Sequence, residues 1–341
     1  MSYRTPSGRV PAVMEAKNVL LASRRAVLTT HLNADGDGAG SEAALASWMR
    51  ANGTEAWVIN PTPFPDAFRF LFESEDWIVP AGTSKARKIC ADADLAVVLD
   101  TGEVPRIGRV RDLIRDIPTL VVDHHPPGDY AIGGTSLRDP AACATGELVY
   151  DIVSAARGTW TDQVALGIYV AILTDTGGFR FTNATPDCHR IAADLIERGV
   201  NPEVTYDAIY GSSPIRKYRL LQDSLDTLQH DGAAGISWMI VPTESYERVG
   251  ATPEDLEGLI DFPRTIQGTK VALLFRGTST GDIKVSFRTN GAADVNQLAR
   301  RWDGGGHVKA SGAMLPGPMD RAVEEVLAAT REVLASGVGE G

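Results

Sequence analysis

The stretch Thr119-Leu120-Val121-Val122-Asp123-His124-His125-Pro126-Pro127 decides how this chain is read. A short apolar run ends abruptly in an acid and two adjacent histidines, and two prolines stop the segment. Such a run reads as a buried strand that delivers polar side chains at its C-terminal end. In open α/β sheets that edge is where ligands and catalysis sit. The chain has six histidines, and two of them stand here. Taken alone, the run also fits a charged turn with solvated histidines, so the other acids of the chain have to decide.

Working outward, further apolar runs at 26–30, 55–59 and 95–99 join 119–122 as strands. They are continuous rather than alternating, as expected for strands covered on both faces. Helical patterns at 41–51, 145–156 and 163–173 alternate with or follow them. This predicts an α/β fold with a doubly wound parallel sheet. Residues 187–199 read as a helix, and 204–228 as mostly helical, interrupted by Gly211 and Pro214. Beyond them the pattern changes to strands at 235–241, 270–276 and 282–288 with helices at 292–301 and 320–335. The expected plan is a domain over 1–186, a helical connector over 187–230, and a smaller α+β domain over 231–341.

Bulk composition bounds the function. At 341 residues, with 43% hydrophobic and 23% charged residues, the chain can bury a core without a disulfide or metal staple. Any metal is therefore expected to be catalytic. A net charge of −11, from 44 acids and 33 bases, disfavours binding to long duplex nucleic acid through its phosphates. It permits a small anionic substrate held by a metal and a few local cations. Cys90, Cys143 and Cys188 are odd in number and far apart, without zinc or redox spacing. Residues 1–13 do not read as a secretory signal, and no run approaches membrane-spanning length. A cytoplasmic protein with no membrane partner is expected.

The first strand feeds His31-Leu32-Asn33-Ala34-Asp35-Gly36-Asp37-Gly38, in a glycine-rich turn before a helix. Glycines let the backbone bend so that side chains two apart can converge. Helix capping would account for one acid, but not for His31 and both acids. A calcium loop would use more oxygen ligands and no histidine. The third strand ends in Asp100-Thr101-Gly102, and the apolar helix at 163–173 leads into Thr174-Asp175-Thr176-Gly177. His31, Asp35, Asp37, Asp100, His124 and Asp175 thus come from four segments, three of which follow parallel strands and can meet on one sheet edge. So many anionic groups need compensation, which two divalent cations supply. Paired metals are a common device of phosphoryl hydrolysis.

The set H-x-x-x-D-x-D, D-T-G, D-H-H and T-D-T-G resembles the DHH phosphoesterase superfamily. In the second half, Asp303-Gly304-Gly305-Gly306-His307-Val308-Lys309-Ala310-Ser311-Gly312 is similar to the signature of the DHH-associated C-terminal domain. Alone, the glycine triplet fits a plain turn. Length and plan resemble the nanoRNase/pAp phosphatase group, which includes cyclic di-AMP phosphodiesterases. The resemblance implies an active site in the interdomain cleft and two divalent ions, most readily manganese. His31, Asp35 and Asp100 would hold one ion. Asp37, Asp100, His124 and Asp175 would hold the other, with Asp100 bridging. It further implies His125 facing the scissile phosphate and Asp123 orienting a neighbouring histidine. Arg288, Gly304, Gly305, Gly306, His307 and Ser311 would bind substrate. Ala34 and Thr289 depart from the family's usual proline and serine without removing a ligand. His189 and His230 match no motif.

The implied activity is manganese-dependent hydrolysis of short single-stranded oligonucleotides, di- to tetranucleotides, to 5′-mononucleotides. Nucleotide bisphosphates such as pAp are a further substrate class, and by family analogy the chain forms a homodimer. Two alternatives stand beside this reading. A family II-like inorganic pyrophosphatase would lack the glycine–histidine run. A nucleotide-binding sensor without catalysis would be expected to have lost at least one acid.

Overall fold

The computed structural model describes residues 3–156 and 159–336. They form two compact units, 1–212 and 213–341.

In the first unit the strands are β1 (Arg25–Thr29), β2 (Glu55–Val58), β3 (Leu95–Leu99), β4 (Thr119–Asp123) and β5 (Thr135–Arg138). They form one parallel sheet in the order β2-β1-β3-β4-β5. Its helices are α1 (Val10–Ala22), α2 (Gly36–Ala51), α3 (Ser84–Asp92), α4 (Val110–Ile114), α5 (Thr145–Ala156), α6 (Asp162–Asp175), α7 (Pro186–Glu197) and α8 (Pro202–Tyr210). Alternate strand residues enter two different cores. Leu28, Val97, Leu99, Leu120 and Val122 pack with residues of α1, α2, α5, α6 and α7. Val27, Ala96, Val98 and Val121 pack with residues of α3 and α4. Double coverage explains why the strand runs are continuously apolar; each fully buried aliphatic side chain contributes about 1.5–3 kcal/mol. The doubly wound parallel sheet read from the sequence is present.

Helix α2 starts five residues earlier than its apolar pattern suggested. Asp35 is its N-cap, accepting from the N–H groups of Asp37 and Gly38, and Asp37 lies in its first turn. The expected loop before the helix is therefore the helix N-terminus itself. Its glycines serve close packing: a Cβ on Gly40 would stand 2.5 Å from the carbonyl oxygen of Gly167 on α6.

The second unit holds α9 (Ile215–Leu225), α10 (Thr243–Arg248), α11 (Asp261–Arg264), α12 (Val295–Ala299) and α13 (Met319–Ser336). Strands β6 (Gln229–Asp231), β7 (Ile236–Val241), β8 (Val271–Gly277), β9 (Ile283–Thr289), β10 (Gly305–His307) and β11 (Ala310–Leu315) form a mixed sheet, order β10-β11-β9-β8-β7-β6. Only β7 and β8 are parallel. One face packs against residues of α12 and α13, and part of the other against residues of α9 and of the segment leading into α11. The helical stretch expected to act as a connector divides at Ser212, with α7 and α8 in the first unit and α9 in the second. Among the described residues no helix is long and apolar enough to cross a membrane.

Candidate metal centre

Strands β1, β3 and β4 are neighbours, so the residues that follow them emerge side by side at one sheet edge. His31 follows β1, Asp100 follows β3, and His124 follows β4. The first turn of α2 adds Asp35 and Asp37, and the last residue of α6 is Asp175. Three groups can each place their ligand atoms within 4.8 Å of one another: His31, Asp35 and Asp100; Asp37, His124 and Asp175; and Asp100, His124 and His125. Asp100 and His124 each belong to two groups, so the clusters are contiguous.

The three histidines are held differently. His31 Nδ1 lies 2.9 Å from the Leu32 carbonyl oxygen, and His124 Nδ1 lies 3.3 Å from that of Ala142. A carbonyl only accepts, so each Nδ1 carries a proton, which turns Nε2 toward the carboxylates as the ring atom placed to bind a metal. His31 Nε2 points at Asp100 (3.2 Å) and Asp35 (3.7 Å). It is buried, and it makes no hydrogen bond. His124 Nε2 lies 3.6 Å from Asp37, 3.7 Å from Asp100 and 3.7 Å from Asp175. His125 instead turns Nδ1 to the Asp123 carboxylate at 2.9 Å, and its backbone N–H donates to the same oxygen at 3.0 Å. Asp123 therefore orients His125, whereas the neighbouring His124 is oriented by a backbone carbonyl.

Electrostatics make the cluster unstable by itself. Asp37 and Asp100 are each 1% exposed. Burial first, then the charges of Asp100, Asp175 and Asp35, push the Asp37 carboxyl well above the usual range. Burial likewise raises Asp175 to about 6, against the pull of His124. Burial opposes a charge on His31, but Asp100 and Asp35 outweigh it and raise the ring to about 10. Burial also opposes charge on His125, and Asp123 together with Asp100 raises it nonetheless. Converging carboxylates, a buried imidazole nitrogen without a hydrogen bond and a mixed oxygen–nitrogen donor set fit divalent cations.

A supporting layer holds the acids, and sequence reasoning did not single it out. The N-terminus of α5 supplies three bonds: Thr145 N–H to Asp37 at 2.7 Å, Gly146 N–H to Asp37 at 3.0 Å, and the Thr145 hydroxyl to Asp100 at 3.0 Å. Asp100 sits in the left-handed backbone region at φ 59°, a strained setting that such anchoring can sustain. The Asn183 amide donates to Asp175 at 3.1 Å and to the Cys143 carbonyl at 2.8 Å. Thr145 stands in Ala144-Thr145-Gly146-Glu147, a helix-start pattern that was the available signal.

The substrate residues expected in the second unit are placed less uniformly. Arg288 lies opposite Ala310, and Ser311 opposite Phe287, so the Arg288 and Ser311 side chains leave opposite faces of the sheet. A Cβ on Gly304 would meet the Gly312 carbonyl oxygen at 2.3 Å, and one on Gly306 that of Ala310 at 2.5 Å. Those two glycines are required by the β10–β11 hairpin, while Gly305 has open space around it. The His307 side chain lies outside the described structure. His189 stacks on Phe179 at 5.2 Å, and His230 bonds Ser237 at 2.9 Å; neither belongs to the ligand groups.

A parallel sheet with carboxylates and imidazoles converging at its C-terminal edge, followed by a mixed-sheet unit, defines a two-domain hydrolase of the phosphoesterase class. The sequence profile of the DHH family, N-terminal domain, matches residues 25–172, and that of the DHHA1 domain matches 241–336. The chain belongs to the DHH family. It is 34% identical over 311 residues to the bifunctional oligoribonuclease and PAP phosphatase NrnA of Thermus thermophilus, covering 90% of this chain and 89% of that protein. The protein of the same name from Bacillus subtilis is 26% identical over 295 residues, covering 85% and 88%. An exopolyphosphatase-related protein from Bacteroides fragilis shares the fold with a TM-score of 0.88 at 23% identity, covering 96% of this chain and 97% of that one.

Proposed function

We propose that this protein is a two-metal phosphoesterase that hydrolyses short oligonucleotides to 5′-mononucleotides and removes phosphate from pAp. The observation that carries it is the contiguous set of three ligand groups linked through Asp100 and His124, in a chain 34% identical to a relative named for both activities. His31, Asp35 and Asp100 would hold one divalent ion, and Asp37, Asp100, His124 and Asp175 the other. Imidazole beside carboxylate favours manganese over calcium or magnesium. When bound, such ions polarise a phosphoryl oxygen and lower the pKa of an adjacent water.

The remaining residues act on the substrate directly or hold it. His125, which Asp123 orients and whose basicity it raises, would give a proton to the leaving oxygen. Arg288, Gly305 and His307 bind the nucleotide's phosphate from the second unit. The buried thiols Cys90, Cys143 and Cys188 suit a reducing compartment, and the activity is assigned to the cytoplasm.

The test is a rate comparison with manganese across di- to tetranucleotides, pAp, cyclic di-AMP and pyrophosphate. Turnover of the short oligonucleotides and of pAp is expected. If none of the nucleotides is hydrolysed, the reading fails, and turnover of pyrophosphate alone would replace it with the pyrophosphatase. Asp100→Ala should abolish activity, and near-normal rates would refute the bridging role.

A further inference from the structure

The protein is acidic overall, at −11, yet three cations gather without acidic partners on one face of the second sheet. The register of β8, β9 and β11 sets Arg276 opposite Lys284, Lys284 opposite Met314, Ser286 opposite Gly312, and Arg288 opposite Ala310. Side chains alternate along a strand, so Lys284, Ser286 and Arg288 share a face. Ile283, Val285 and Phe287 fill the core on the other. Among the described residues none of the three cations makes an ion pair. Arg276 lies over the Tyr246 ring at 5.4 Å, and Arg288 donates to its neighbour's carbonyl at 3.0 Å. Asp261, which attracts Arg288, is held by Arg264 at 2.8 Å.

Like charges directly opposite each other on paired strands are destabilising. Burial, then Arg276, already lowers the pKa of the Lys284 ammonium. Between the two cationic ends β9 and β11 present only Ser286 and Gly312, and on the β8 side Leu274 stands opposite Ser286. A cavity of about 500 Å³ is lined by Lys284, Gly312 and Met314 together with Trp302, Asp303 and Gly304. It joins the Lys284 end to the start of the glycine run.

We propose that Arg276 and Lys284 form a second anion subsite, which takes an internal phosphodiester of a short oligonucleotide whose terminal phosphate is held at the Arg288 end. The inference rests on the proposed function and deepens it, since it makes this face of the sheet the element that senses substrate length. Four residues along β9 span about 13 Å, too far for one phosphate to touch both ends. A dinucleotide or pAp fills the Arg288 end alone, whereas a tetranucleotide gains from both.

The full chain and its Arg276→Gln, Lys284→Gln and double variants are titrated calorimetrically with pAp, a dinucleotide and a tetranucleotide. Titrations run in EDTA, where nothing turns over, and KM is measured separately with manganese. The double variant should bind the tetranucleotide about 10-fold more weakly, with a shallower salt dependence, while pAp and the dinucleotide change less than about twofold. Lys284→Arg should keep the length preference. Equal losses for all three ligands, no loss, or no tetranucleotide binding by the wild type in either buffer overturns the subsite. A wild type that shows the length-dependent binding but hydrolyses nothing overturns the activity and leaves the subsite standing. Melting curves of the variants that match the wild type show that the fold is kept.

Discussion

Thr145 holds two of the site's carboxylates at once, Asp37 through its N–H and Asp100 through its hydroxyl. Thr145→Val preserves shape and the backbone bond but strips the hydroxyl bond from a buried acid. Losing such a supporting contact typically costs about 10–100-fold in metal affinity. Calorimetry should therefore show manganese binding weakened by that factor in Thr145→Val and nearly restored in Thr145→Ser. Equal affinity in all three proteins would mean that Asp100 is held by other contacts. Glu42 supports a pH prediction. It is fully buried; Asn60 donates to one of its oxygens at 2.9 Å, and the other oxygen has no partner. Burial, opposed by Asn60, raises its pKa to about 8 from 4.5. The folded state thus binds a proton that the unfolded chain has released between those two values. Stability falls as pH rises through that window, by up to about 1.4 kcal/mol per unit. Glu42→Gln should remove this slope, so its urea midpoint at pH 8 exceeds that of the wild type, and parallel pH profiles would disprove the assignment.

At the scale of elements, the crossing of α2 and α6 sets the distance between Asp37 and Asp175. A Cβ on Gly167 would lie 2.6 Å from the Gly40 carbonyl oxygen. Gly167→Ala must push the helices apart, at about 1–3 kcal/mol of overpacking. It should lower both the melting temperature and the manganese affinity, and unchanged affinity would show that the crossing does not set the site. A second joint ties the chain's start to α5. Arg9, just before α1, bonds Glu147 and Asp151 at 2.7 Å each and Asp139 at 2.8 Å. Arg9→Leu leaves the buried Glu147 and Asp151 uncompensated, a loss of about 3–5 kcal/mol that urea denaturation would report. The core strands were legible because they are covered on both faces and read as unbroken apolar runs. Strand β5 was not, since Thr135-Ser136-Leu137-Arg138 buries only Leu137. Helix α1 was passed over although Pro11 and the buried Val13, Ala16 and Leu20 carry the helical spacing.

Across the whole molecule, every proposed metal ligand lies between His31 and Asp175, within the first unit. A ligand that binds only one folded unit stabilises that unit by mass action. Scanning calorimetry should show manganese raising one thermal transition and leaving the transition of the second unit unmoved. A single transition that shifts as a whole would show that the units unfold together. The site's legibility divides in the same way. The six proposed ligands stand on short spacings within four segments, and the sequence displays them. Their supports do not, because Thr145 meets Asp37 across 108 residues and Asp100 across 45, and only the completed sheet brings them together. That separation has a consequence for the newborn chain. During synthesis His31 leaves the ribosome early, while Asp175 follows only after the sheet and five of its helices have been made. A chain stalled or cleaved before α6 carries His31, Asp35, Asp37, Asp100 and His124 but lacks Asp175, so the second proposed ion site stays incomplete until α6 has been made.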